Sequence, residues 1–286
     1  MQFNDQSKQQ AITAFNGLNN NLKNTMMLST VRLTKNNGFT GSGVLVKDAD
    51  NIAGIVTAKH NLCICNGTAT PDVWNETSAI DLMNNFLDGL NVGYGATSLG
   101  KNPAHTQVLS LDNSDIEFRS GWGSWDYDLM FISFKKSDLP ILTWMNSNNG
   151  DFIHYRNNQL GFYQQNQVNR AVFVMGFGDM LTAQGNQPNL SHNLQVRATT
   201  ITDNARSVLR DQNPDVDFLS AISATASNNT STAPGDSGGP MFCAHNGNLY
   251  LLGVTLGSNF RPNQMIADDP IVSNEATSLC RNGKLF

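Results

Sequence analysis

Short apolar runs with Gly, Asn and Asp clusters between them are the feature that most restricts what this chain can become. Gly43-Val44-Leu45-Val46, Ile52 to Thr57, Leu129-Met130-Phe131-Ile132, Ala171 to Met175 and Leu249 to Thr255 are the clearest examples. Several strands of this length, bounded by turn residues, argue for an all-β sandwich or barrel. Helical periodicity is rare. Its best stretch places Ile12, Phe15, Leu18 and Leu22 at intervals of three to four residues, which predicts an N-terminal helical arm. Such an arm packs on the body, or docks over a site as a regulatory segment. Asn19-Asn20-Asn21 weakens the helix midway.

Composition removes several classes of function. Charged residues make up 14% of the chain and hydrophobic ones 40%, and 18 basic against 23 acidic side chains leave a net charge of −5. Nucleic acid is excluded as the main partner, because neutralising phosphates needs clustered Lys and Arg. A low charge fraction is also the wrong signature for disorder. No segment approaches the roughly 18 uninterrupted apolar residues of a membrane span. The start, Met1-Gln2-Phe3-Asn4-Asp5-Gln6, has no basic region followed by an apolar core, so no signal peptide is visible. Cys63, Cys65, Cys243 and Cys280 are too sparse to staple 286 residues, which bury enough surface without them. Asn66 to Trp122 and Thr182 to Asn193 read as long loops or insertions, and Ala224 to Thr232 as irregular.

The strongest chemical signal is Gly235-Asp236-Ser237-Gly238-Gly239-Pro240. Flanking glycines allow a tight turn that presents the serine hydroxyl while neighbouring amides converge. The amides of Gly235 and Ser237 are candidates for an oxyanion hole, usually the largest single term in acyl transfer. A serine hydroxyl is a weak nucleophile at neutral pH and needs a base, itself oriented by a third group. The same stretch fits the G-x-S-x-G elbow of α/β-hydrolases, whose partners follow in the order serine, acid, histidine. After Ser237, however, the only histidine is His245, with no carboxylate between them, and no apolar strand precedes the motif. That fold is excluded.

The order histidine, aspartate, serine fits instead. Ile55-Val56-Thr57-Ala58-Lys59-His60 is an apolar run ending in histidine, and Tyr127-Asp128-Leu129-Met130-Phe131-Ile132 is an acid opening another. With these residues the chain resembles the chymotrypsin/trypsin-like serine peptidase family, whose motifs are T-A-x-H, D-[I/L]-x-[L/F]-[I/L] and G-D-S-G-G-P. Gly41-Ser42-Gly43-Val44-Leu45-Val46, Val174-Met175-Gly176-Phe177-Gly178 and Leu252-Gly253-Val254-Thr255-Leu256-Gly257 add weaker matches, so the resemblance covers Leu28 to Ser258. It implies an all-β fold, a double six-stranded β-barrel of the chymotrypsin type with an N-terminal helical arm. The expected division is an arm at 1–25, a first lobe at 26–150 carrying the histidine and aspartate, and a second at 151–286 carrying the serine.

The resemblance also implies roles. Ser237 attacks the scissile carbonyl, His60 takes and returns the proton, and Asp128 fixes the histidine tautomer, with Asp126 as rival acid. Ser231, Thr255 and Gly257 fall where the family builds its specificity pocket, and with no acid at Ser231 a neutral or apolar substrate side chain is expected. The substrate is a protein or peptide, no cofactor is required, and no regulatory partner is named. Cys63-x-Cys65 with Cys243-x-His245 has spacing too tight for the usual structural zinc site, so no metal is expected. The alternative function is a catalytically silent or latent fold acting as a binding or regulatory module.

Several family features are missing. Gly41 stands where the family has a cysteine that bridges to the position just after the catalytic histidine, and Ala233 replaces another half-cystine. Cys243 matches a half-cystine that lacks its usual partner. Loss of these disulfides, with no visible signal peptide, favours the cytoplasm over export by another route. In many relatives a freed apolar N-terminus pairs with the aspartate beside the serine, here Asp236. No Ile-Val-Gly-Gly-like start is present, so another group is expected to satisfy Asp236, and the sequence does not name it.

Overall fold

Antiparallel pairing of the short apolar runs organises the chain into two β-structures joined through a shared core. The computed structural model describes residues 2–3, 5–47, 53–67, 76–118, 129–148, 152–154, 171–178, 181–182, 193–203, 221–225, 233–258 and 274–279. In chain order the first part comprises β1 (Gln2–Phe3), α1 (Asp5–Asn16), α2 (Asn20–Ser29), β2 (Thr30–Thr34), β3 (Thr40–Lys47), β4 (Ala53–Thr57) and α3 (Asn61–Asn66). Next come α4 (Glu76–Leu87), β5 (Leu90–Tyr94), β6 (His105–Leu109), β7 (Ser114–Phe118), β8 (Met130–Phe134), α5 (Pro140–Ser147) and β9 (Ile153–His154). The second part is β10 (Ala171–Gly176), β11 (Leu181–Thr182), β12 (Gln195–Asp203), β13 (Ala221–Thr225), β14 (Pro240–His245), β15 (Asn248–Ser258) and β16 (Asn274–Leu279).

The second lobe is a closed six-stranded barrel in the order β10-β12-β13-β16-β15-β14, as expected. Its β14–β15 hairpin turns on Asn246 and Gly247, both at positive φ (50° and 77°), with His245 paired to Asn248. Two left-handed residues make a turn whose twist matches the flanking strands, which is why Asn-Gly sits there. The first lobe is a sheet in the order β6-β5-β2-β3-β4-β8-β7, with β9 beside β3. It therefore has seven strands in line where six were expected, and it stays open among the described residues.

The additional elements come from the stretch read as a loop. Asn66 to Trp122 contains α4 and strands β5, β6 and β7. In β6 only Leu109 is fully buried, while His105, Thr106 and Val108 are exposed. An edge strand with so little buried surface leaves no apolar run to read. The stretch 183–192, the body of the other expected loop, lies outside the described residues, as do 226–232 of the irregular stretch.

One core, including Val31, Leu33, Leu45, Ile55, Leu90, Val92 and Ile132, fills the first lobe. The other runs between the lobes, joining Val44, Val46, Val56 and Phe131 of the first sheet to Phe173, Met175, Phe242 and Val254 of the barrel. The arm belongs to this second core. Phe15 is buried and meets Phe173 edge-on, ring centroids 6.1 Å apart, and Met26 and Met27 are buried with it. Burying one such side chain stabilises by about 1.5–3 kcal/mol. The asparagine cluster does more than weaken the arm: the Asn19 side chain accepts from Leu22 N at 2.9 Å and caps α2, which runs to Ser29. No described helix is long and apolar enough to cross a membrane.

Candidate active site

His60 sits where β4 gives way to α3. The β4 strand is buried throughout, which carries the chain through the core and delivers His60, half-buried, at its end. The His60 carbonyl accepts from Cys63 N at 3.0 Å and Ile64 N at 3.1 Å, so the histidine opens the helix. Gly67, at φ 65°, closes the same helix by donating to the Cys63 and Ile64 carbonyls. Both ends of α3 are thereby fixed.

Ser237 lies in a loop made of two successive turns, with Asp236 N donating to Ala233 O at 3.0 Å and Gly239 N to Asp236 O at 2.9 Å. Gly235 (φ 89°) and Gly238 (φ 81°) take the left-handed conformation that the turns require. A side chain at Gly238 has no room in any case: a Cβ there would lie 2.0 Å from Thr57 Oγ1 and 2.8 Å from Ala58 N. The serine loop is therefore pressed against the strand that ends in His60. Barrel strand β15 holds it from the other side, through Gly238 N to Thr255 O (2.9 Å) and Thr255 N to Gly239 O (2.8 Å). Thr255 is buried and its hydroxyl also donates to Gly239 O, at 3.1 Å.

Two residues that sequence reasoning did not single out fasten this loop to the first lobe. Ser42 of β3 is fully buried and makes three bonds across the interface. Its N–H donates to Ser237 O (2.9 Å), its hydroxyl donates to Gly235 O (2.8 Å), and the same hydroxyl accepts from Phe177 N (2.9 Å). Asn61, the residue after His60, is also fully buried, and its amide donates to Ser237 O at 3.2 Å and to Thr57 Oγ1 at 3.0 Å. Neither carries a local sequence signal: Ser42 is one hydroxyl in a strand and Asn61 one amide after Lys59-His60.

Asp236 is fully buried beneath the loop. One carboxylate oxygen accepts from Gly178 N at 2.9 Å and the other from Ala233 N at 3.0 Å. Burying a charge is costly unless it is paired and hydrogen-bonded. Arg197 of β12, equally buried, interacts electrostatically with it: burial pushes the Arg197 pKa down to about 9, and the Asp236 carboxylate pulls it upward. An arginine guanidinium keeps its proton in a protein, so this side chain brings a positive charge.

Ser237 opens onto a cleft of about 640 Å³ that runs between the lobes. Asn37 and Phe39 line it from the β2–β3 connection, Thr40 from the start of β3, Ile64 and Cys65 from α3, and Pro234 and Gly235 from the serine loop. Thr255 lies elsewhere, under the loop. Among the described residues the Ser237 hydroxyl and the amides of Gly235 and Ser237 have no hydrogen-bond partner. Asp128, the rival Asp126 and Ser231 lie outside the described residues, and Gly257 is described only as backbone of β15, paired with Ala276. Cys63, Cys65 and Cys243 are buried thiols, and among the described residues no three His, Cys, Asp or Glu side chains gather as a metal site.

The fold and this loop define a serine-peptidase architecture. The trypsin family model matches residues 30–267, and the protein belongs to that family. A search of curated proteins finds no match.

Proposed function

We propose that the protein is a serine endopeptidase that hydrolyses peptide bonds through an acyl-enzyme. Ser237 is the nucleophile, His60 its general base and then general acid, and Asp128 the group that orients the imidazole and stabilises the imidazolium. The amides of Gly235 and Ser237 receive the oxyanion. The observation that carries this reading is the presentation of Ser237. It stands between two left-handed glycines at the edge of an interlobe cleft, and its carbonyl is bonded to Asn61, the neighbour of His60. The two oxyanion amides are left without an acceptor among the described residues, which suits a site whose hydrogen bonds tighten when substrate arrives. A neutral or apolar side chain before the scissile bond follows from Ser231 and Gly257, neither of which is charged.

Labelling with a serine-directed fluorophosphonate tests the proposal. Wild-type protein is expected to label and Ser237→Ala to stay unlabelled; a folded wild type that does not label sinks it. A peptide-library profile should show neutral or apolar residues before the cut, and dominance of Arg, Lys or Glu there would overturn the pocket assignment.

A further inference from the structure

The N-terminal arm grips both lobes at once. On α1, Ala11 and Phe15 lie four residues apart on one face, and both are buried. The helix packs along barrel strand β12, and Phe15 meets Phe173 of the neighbouring strand β10 edge-on. Helix α2 packs instead on β2 and β3 of the first lobe, with Met26 and Met27 in the interlobe core and Leu28 against the core of the first lobe. Where α2 ends, the Thr30 hydroxyl donates to Met26 O at 2.7 Å and reaches Met175 Sδ of β10 at 3.9 Å.

The inner face of β10 carries this grip toward the serine. Phe173 and Met175 of β10 and Phe177 just beyond its end alternate with Val174 and Gly176, so their side chains share one face, roughly 7 Å apart. All three belong to the interlobe core. Phe173 meets Phe15 of the arm, Met175 meets Thr30, and Phe177 N donates to the Ser42 hydroxyl that holds Gly235 O. On β3 the face that bears Ser42 continues as Val44 and Val46, which lie in the same core as Phe15 and Met26. Two strands thus carry a row of buried side chains from the arm to the nucleophile loop. Among the described residues, none that lines the cleft comes from the arm.

We propose that the arm is an interlobe clamp that controls the serine site from behind. Seated, it fixes β10 against β3 and so keeps the Ser42 fastening made; released, it loosens the nucleophile loop and leaves the reacting groups themselves unchanged. The arm is an activating segment, the reverse of a lid over the cleft. Phe15 is a positioning residue that acts through Phe173 and touches no substrate. Packed side chains on rigid strands are the kind of contiguous network that can carry such coupling. The catalytic consequence rests on the peptidase reading above; the clamping of the lobes does not.

The test uses the full chain with Phe15→Ala, Phe15→Leu and, as a control, Leu90→Ala, which opens the core of the first lobe. Hydrogen exchange reads the clamp through the N–H groups of Ser42 and Phe177, which bond across the seam to Ser237 O and Ser42 Oγ. In Phe15→Ala their protection is expected to fall at least about tenfold further than that of the β5 amides, and in Leu90→Ala no further than those. Fluorophosphonate labelling reads the site. Folded Phe15→Ala is expected to label at least about tenfold more slowly than wild type, Phe15→Leu to fall between them, and Leu90→Ala to label at the wild-type rate. Faster labelling of Phe15→Ala would make the arm a lid, and an unchanged rate would make it inert packing; either overturns the proposal, as does equal slowing in Leu90→Ala. If Phe15→Ala does not fold, Phe15→Leu is judged by the same two measurements, and protection at Ser42 and Phe177 that falls no further than in β5 overturns the clamp. Exchange requires no activity, so a wild type that fails to label would defeat the peptidase reading while the clamp is still judged.

Discussion

Replacing Ser42 with alanine removes one oxygen atom and separates three segments of chain. That hydroxyl donates to Gly235 O at 2.8 Å and accepts from Phe177 N at 2.9 Å, in a position with no solvent exposure. Alanine leaves both backbone groups unsatisfied, and an orphaned buried donor or acceptor costs about 1–3 kcal/mol. Gly235 borders the cleft, where water can replace the lost donor, so its share falls at the low end. Phe177 is fully buried and its N–H has no such recourse. The expected loss is about 2–4 kcal/mol, read from the urea midpoint with an unchanged slope. Ser42 N–H still donates to Ser237 O in the variant, so the nucleophile keeps its nearer fastening while the Gly235 carbonyl is released. Since the Gly235 amide belongs to the same turn, labelling by fluorophosphonate should slow by at least about tenfold in protein that remains folded. A stability loss under about 0.5 kcal/mol, the range of an ordinary surface substitution, would refute the claim that this hydroxyl bridges the lobes.

Other substitutions test neighbouring parts of the same assembly. Asn61→Ala removes the bonds to Ser237 O and Thr57 Oγ1 but also an amide oxygen that is buried without a partner, so stability should fall by only about 1 kcal/mol. Labelling of that variant should slow by up to about a hundredfold, and an unchanged rate would show that Asn61 does not position the serine. Gly238→Ala meets Thr57 Oγ1 and the Ser42 carbonyl at a positive φ, and should cost more than about 3 kcal/mol in thermal or urea unfolding. Burial raises the Cys65 pKa, with Lys35 and the Asn37 hydrogen bond pulling it down. The unfolded chain thus loses this proton first as pH rises, and the stability present at neutral pH declines through the alkaline range. Urea midpoints between pH 7 and 10 should show a shallower decline in Cys65→Ala, and parallel curves would exclude the thiol as a contributor.

What the sequence made legible was the part of the molecule whose chemistry restricts residue type. A serine presented between left-handed glycines must be written with glycines, and an apolar strand that ends in a histidine announces itself. The fasteners have no such signature. Ser42 could be any strand hydroxyl, and Arg197, one charge in the strand Gln195-Val196-Arg197-Ala198, reads like an outward-facing residue until β12 is set against β10. Their roles depend on register between segments far apart in sequence, which no local pattern encodes. The same reason explains what the cysteine count hid. Resemblance to the family placed a disulfide between position 41 and the residue after the histidine. A Cβ built on Gly41 lies 3.2 Å from the Asn61 amide nitrogen, so the two positions still touch, with the asparagine side chain filling the space beside the glycine. That amide reaches on to Ser237 O, which a disulfide sulfur could not do as a donor. The missing half-cystine therefore changes the kind of link more than it removes one: a covalent bond within the first lobe is replaced by a hydrogen bond to the second, formed only when the lobes are assembled.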